Sequence, residues 1–126
     1  MEILSSRLLI RPTDPRRSVG FYRDTLGLAV YREFPGGTVF FAGQGLLEVS
    51  GCSNIAPIPA TELWLQVRDL RAAEIELRAR EVTILREPKR EPWGLDEMWI
   101  SDPDGLRIVL VQIPADHPLR RDTRAD

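Results

Sequence analysis

Apolar and polar positions along this 126-residue chain repeat one arrangement twice. Leu4 to Pro12 alternates loosely, with Arg7, Leu9 and Arg11 on one side and Leu8 and Ile10 on the other, the period of a strand with one polar-tolerant face. Asp14 followed by Pro15 opens a helix, because the carboxylate accepts an orphan amide and proline's fixed φ suits the first helical position. Val19, Tyr22 and Leu26 fall at helical spacing and Gly27 supplies a left-handed residue, so the pattern predicts a helix of about three turns ending there. Leu28 to Phe34, Thr38 to Ala42 and Leu46 to Ser50 read as strands joined by Pro35-Gly36-Gly37 and Gly43-Gln44-Gly45. No helix follows these glycines, which argues against a phosphate-binding loop.

After the Pro-punctuated, nearly uncharged stretch Cys52 to Ala60 the arrangement restarts. Glu62 to Val67 alternates, Asp69 caps a second helix, and Leu70, Ala73 and Leu77 form its apolar stripe. Glu74 with Arg78 and Glu76 with Arg80 are spaced as stabilising pairs on the solvated face. Val82 to Arg86, Glu97 to Ser101 and Leu106 to Ile113 complete the second set of strands, with Asp102-Pro103-Asp104-Gly105 as a turn before the last. The expected fold class is therefore α+β, two tandem βαβββ modules at residues 1–51 and 61–114, with a linker at 52–60 and a flexible C-terminal tail at 115–126. Each module exposes one apolar sheet face that needs its twin for burial, so a cup-shaped mixed sheet around a shared cavity is expected.

Composition narrows the partners. A formal charge of -2, with basic and acidic residues intermixed, provides no single-sign field of the kind that attracts nucleic acid. The lone cysteine, Cys52, excludes an internal disulfide and a multi-thiolate metal site. Neither a signal-peptide pattern nor a membrane-spanning run is present, so a cytoplasmic protein with no membrane partner is expected. A serine triad needs a positioned imidazole, and the one histidine, His117, falls in the tail, where it is expected to be solvated.

Three segments carry a resemblance: DPRRSVGFYRDTLGL at Asp14 to Leu28, EPWG at Glu91 to Gly94, and SDPDGLRIVLVQ at Ser101 to Gln112. In order and spacing they resemble the glyoxalase, bleomycin-resistance and extradiol dioxygenase superfamily, the vicinal oxygen chelate proteins. The resemblance implies the paired-module fold and a homodimer. It also implies, in the superfamily's enzymes, one divalent metal held by four side chains, two per module. Those positions correspond here to Arg7, Glu48, Glu62 and Val109. Arginine is permanently cationic and valine has no donor atom, so a metal-free protein without cofactor is expected.

If that correspondence holds, Arg7, Glu48 and Glu62 converge, and the guanidinium stands forked between carboxylates where the metal would be. Two glutamates against one arginine leave a surplus negative charge, which suits an acid, a base or a cationic ligand. Leu9, Trp64, Val109 and Val111 share the inward parity, Trp93 sits on a turn between Pro92 and Gly94, and Arg107 shares the parity of Val109. Aromatic walls with a few convergent polar groups are the usual build of a small-molecule pocket. The ligand-binding set is thus Arg7, Leu9, Glu48, Glu62, Trp64, Trp93, Arg107 and Val109. The functional expectation is a protein that binds, and in the manner of the bleomycin-resistance branch sequesters, an aromatic or cationic organic compound, which would confer antibiotic resistance. The alternative is a lyase, isomerase or dioxygenase, either metal-dependent or using Glu48 or Glu62 as acid or base with Arg7 as electrophile. A structural or regulatory role is the third.

Overall fold

Two aspartates start the two helices. The computed structural model, which describes residues 1–119, places Asp14 and Asp69 in extended conformation, each carboxylate accepting the amide three residues on, from Arg17 and Ala72 at 3.2 and 3.0 Å. The chain forms two units, residues 1–61 with 102–106, and residues 62–101 with 107 onward. The first holds β1 (Arg7–Ile10), α1 (Pro15–Gly20), β2 (Val30–Phe34), β3 (Gly37–Ala42) and β4 (Gly45–Ser50). The second holds β5 (Glu62–Gln66), α2 (Leu70–Ala79), β6 (Ile84–Arg90), β7 (Asp96–Ser101) and β8 (Arg107–Gln112).

Each unit contains one four-stranded mixed sheet. Their strand orders match, β1-β4-β3-β2 and β5-β8-β7-β6, with the first pair parallel and the other two antiparallel. This is the repeated βαβββ arrangement expected from the sequence. The turn at Asp102 to Leu106, expected within the second module, belongs to the first unit. Its Asp102 accepts the Tyr22 hydroxyl at 2.9 Å, and Asp104 accepts from Thr13 and Arg17.

Register divides each sheet into two faces. In the first, Leu47, Val49 and Phe40 share one face, and Tyr22 packs on it with its ring 6.3 Å from that of Phe40. The opposite face carries Arg7, Leu9, Glu48, Val39 and Phe41. In the second, α2 lies over β6, β7 and β8, and its Leu70 and Leu77 are buried with Met98, Ile100, Ile108 and Leu110. Glu62, Trp64, Trp99, Arg107 and Val109 share the other face. The two i, i+4 pairs of α2 form at 3.0 and 2.7 Å.

Three elements depart from expectation. β1 is shorter than Leu4 to Pro12, because its partner β4 pairs with it only along Leu46 to Val49 and Pro12 has no amide to offer. The first helix is not one regular α-helix: after Gly20 it widens into a π-helical turn at Phe21–Thr25, and Leu26 donates to the Phe21 carbonyl at 2.9 Å. β6 runs to Arg90 rather than ending at Arg86, with register shifts on either side of Arg86; as an edge strand it accommodates Pro88. No helix among the described residues is long and apolar enough to cross a membrane.

Candidate functional site

On the open face of the first sheet, Arg7 and Glu48 meet across the β1/β4 pairing, Nη1 donating to Oε1 at 2.9 Å. Glu48 is not served by Arg7 alone. Its Oε2 accepts the Ser50 hydroxyl at 2.6 Å and lies 3.7 Å from Arg11 Nη1, which itself donates to Ser50 Oγ. Arg7, Leu9 and Arg11 project together because alternation puts them on one side. The Ser50 hydrogen bond, then Arg7, hold the Glu48 carboxyl below the usual carboxylate range. The lowered value makes Glu48 a weaker base than an ordinary carboxylate.

A folded-state value below the unfolded one means that this contribution to stability is fully present above the ordinary glutamate value. It is lost only as pH falls through the lowered one. A carboxyl-carbon NMR titration should accordingly find the Glu48 midpoint below the ordinary glutamate value, and Ser50→Ala should raise it.

In the second sheet Glu62 is paired with Arg107, Nη1 to Oε1 at 2.9 Å, as direct register partners at the start of β5 and β8. The expectation of two glutamates competing for one arginine is thus corrected: each carboxylate has a guanidinium from its own unit, and Glu48 has two nearby. Arg107, placed in the ligand-binding set by its parity with Val109, also lies over the Trp99 ring at 4.6 Å. Arg86 lies over the same ring at 4.0 Å and is ion-paired to the buried Glu91 at 2.5 Å. Trp64 is 49% exposed beside Val109 on this face, but Val109, named as a ligand contact from sequence, is only 4% exposed. It sits between Trp64 and Trp99 in the register and packs with Leu95, Val111 and Ile113, so its side chain is core. Leu9 in the first unit is 46% exposed and available to a ligand.

Trp93 is 58% exposed on its turn, with the indole N–H donating to Glu97 at 2.9 Å. His117 is not the solvated tail residue expected. Its Nδ1 accepts the Leu119 amide, so Nε2 carries the proton and donates to the Trp93 carbonyl at 3.0 Å. The remainder of the expected tail, residues 120–126, lies outside the described residues. A Cβ on Gly94 would come within 3.0 Å of the His117 ring, and Gly94 has φ +90°. Gly94→Ala is therefore expected to destabilise the protein by about 1–2 kcal/mol in urea unfolding, chiefly through the left-handed backbone.

Arg11, Ser50 and Arg86 were not among the site residues read from the sequence. Parity with Arg7 pointed to Arg11, and the two-residue step from Glu48 pointed to Ser50; Arg86 was hidden by the irregular register of β6. A cleft of about 340 Å³ was also missed. It lies in the first unit where Leu8, Leu9 and Ile10 face Ile55, Pro57 and Ile58, so the linker stretch is a cavity wall rather than a mere connection.

The four positions that correspond to the metal ligands of the superfamily's enzymes do not fit a metal. Two are a guanidinium and a buried valine, the glutamates at the other two are engaged by arginines, and no group of three His, Cys, Asp or Glu among the described residues is arranged to hold an ion.

Paired βαβββ units with polar clusters on open sheet faces define a class of small α+β proteins, and comparisons with known proteins identify which. The model of the Glyoxalase/Bleomycin resistance protein/Dioxygenase superfamily matches residues 5–110, and the chain belongs to that superfamily. No curated protein matches it. Among solved structures it is similar to TnmS3, an antibiotic binding protein from Streptomyces sp. CB03234, at 24% identity and a TM-score of 0.75, covering 90% of this chain and 98% of that one. A glyoxalase/bleomycin resistance protein/dioxygenase from Nocardioides aligns at 19% identity and a TM-score of 0.74, over 94% and 89% of the two chains. TioX from Micromonospora sp. ML1 aligns at 17% identity and 0.69, over 90% and 97%. At these identities the structural likeness establishes the fold alone.

Proposed function

We propose that this protein binds a small aromatic organic compound without a divalent metal and sequesters it rather than transforming it. The observation that carries this reading is the Arg7 guanidinium, 2.9 Å from Glu48 at a position where the superfamily's enzymes place a metal ligand. Supporting it are the exposed indoles of Trp64 and Trp93, which offer flat apolar contact with a polar edge. The depressed Glu48 carboxyl speaks against the acid-base alternative. That TnmS3 is an antibiotic binding protein makes an antibiotic the first ligand class to try. The same reading takes the working form to be a cytoplasmic homodimer, consistent with the free thiol of Cys52 and with the exposed Ile55 and Ile58; sedimentation checks the dimer.

Two measurements test the proposal. Elemental analysis of protein purified without chelator is expected to find transition metal far below one equivalent per chain; a stoichiometric, tightly held ion would end the metal-free reading. Cells producing the protein should survive planar aromatic antibiotics better than controls, with the drug recovered chemically unchanged. Recovery of an altered drug would instead indicate catalysis.

A further inference from the structure

The open face of the first sheet carries more positive charge than the sequence suggested. Along it run Arg7, Leu9 and Arg11 on and just past β1, Leu46, Glu48 and Ser50 on β4, Val39 and Phe41 on β3, and Arg32 in register with Val39 on β2. That is three arginines against one glutamate. Glu48 is saturated by the Arg7 guanidinium and the Ser50 hydroxyl, and Ser50 in turn accepts from Arg11. The serine is thus a relay: it passes a hydrogen bond to the carboxylate while accepting one from the second guanidinium, which fixes both arginines around a single counter-charge. Among the described residues each guanidinium commits Nη1 to this cluster, and both side chains remain partly open to solvent. Their other N–H groups are free to grip an anion in the forked manner that arginine favours. The apolar component lies on the same face: Leu9 between the two arginines, and Phe41, 45% exposed and edge-on to Tyr31 at 5.1 Å.

We infer that this face selects an aromatic ligand bearing an anionic group, a carboxylate, sulfonate or ionised phenol, held jointly by Arg7 and Arg11 with the ligand's apolar body over Leu9 and Phe41. The inference rests on the small-molecule-binding reading above and replaces the cationic ligand that two glutamates around one arginine would have favoured. One net positive charge remains on the Arg7, Arg11 and Glu48 cluster after pairing, and Arg32 adds to it.

The test uses three anthraquinones of matched shape, one with a carboxylate, one with the neutral carboxamide and one with an aminomethyl cation, titrated calorimetrically into the full chain. The carboxylate is expected to bind about tenfold tighter than the carboxamide, as a charge-assisted hydrogen-bond pair predicts. Its affinity should fall with added salt while that of the carboxamide does not. Arg11→Gln should remove most of the difference. The inference is overturned if the carboxamide or the cation binds as tightly as the carboxylate, or if a folded Arg11→Gln protein keeps the same preference; in either case the small-molecule reading stands. If none of the three binds, both fail. The salt dependence of the unaltered chain carries the test even where the glutamine variant does not fold.

Discussion

Asp102→Ala is expected to destabilise the protein by about 3–5 kcal/mol. The carboxylate is buried and works as a three-way acceptor. Oδ2 takes the Tyr22 hydroxyl at 2.9 Å, and Oδ1 takes the amides of Asp104 and Leu106 at 2.9 and 2.8 Å. Alanine would strand a fully buried phenol and two turn amides, each at the desolvation cost of an unmade bond. Burial and then the charge of Asp102 push ionisation of Tyr22 far above its ordinary value, so the phenol is a proton donor at every accessible pH. Tyr22→Phe removes one bond and should cost about 1–2 kcal/mol. Urea unfolding of both single variants and the double variant measures this. A double variant costing no more than Asp102→Ala alone is the expected result, since the phenol's bond is already lost; strict additivity would count against the arrangement.

Glu91→Ala should cost about 2–3 kcal/mol, somewhat less than breaking a fully buried ion pair because Arg86 retains some solvent contact. Arg86 is held from three sides: Glu91 at 2.5 Å, the Glu97 carbonyl at 3.0 Å, and the Trp99 ring at 4.0 Å. Removal of the carboxylate leaves a half-desolvated cation with only a neutral acceptor and an aromatic face. Glu91→Gln, which keeps the volume and one acceptor oxygen, should cost about half as much. Thermal unfolding checks both. In the Arg86→Met, Glu91→Ala double variant, part of the loss should return, because no unpaired charge remains; a double variant as unstable as the sum of its parts would argue that packing rather than charge dominates.

Much of the architecture was legible along the chain because its signals are local. A capping carboxylate acts three residues away, and Asp14 and Asp69 both do so. The hairpin glycines sit at positive φ, +88° at Gly36 and +61° at Gly43, where other residues are strained. Strand alternation correctly grouped Arg7 with Leu9 and Trp64 with Val109, since a register partner shares its face. The same alternation overstated Val109, because parity gives direction and not depth: Leu95, Val111, Ile113 and Trp99 pack around a small residue that points the expected way.

What alternation and capping settle, then, is two copies of one local plan, their helix starts, their turns and the side of the sheet each strand residue faces; these depend on interactions spanning a few positions. Which charges meet was decided in three dimensions. Arg7 joins Glu48 from 41 residues away, Arg107 joins Glu62 from 45, and Tyr22 reaches Asp102 across 80, and no periodic rule chooses among the arginines that could have filled those roles. Electrostatic partnership falls off over a few ångströms of space rather than of sequence, so only the folded chain could assign Glu48 a second guanidinium and thereby reverse the charge expected of a ligand.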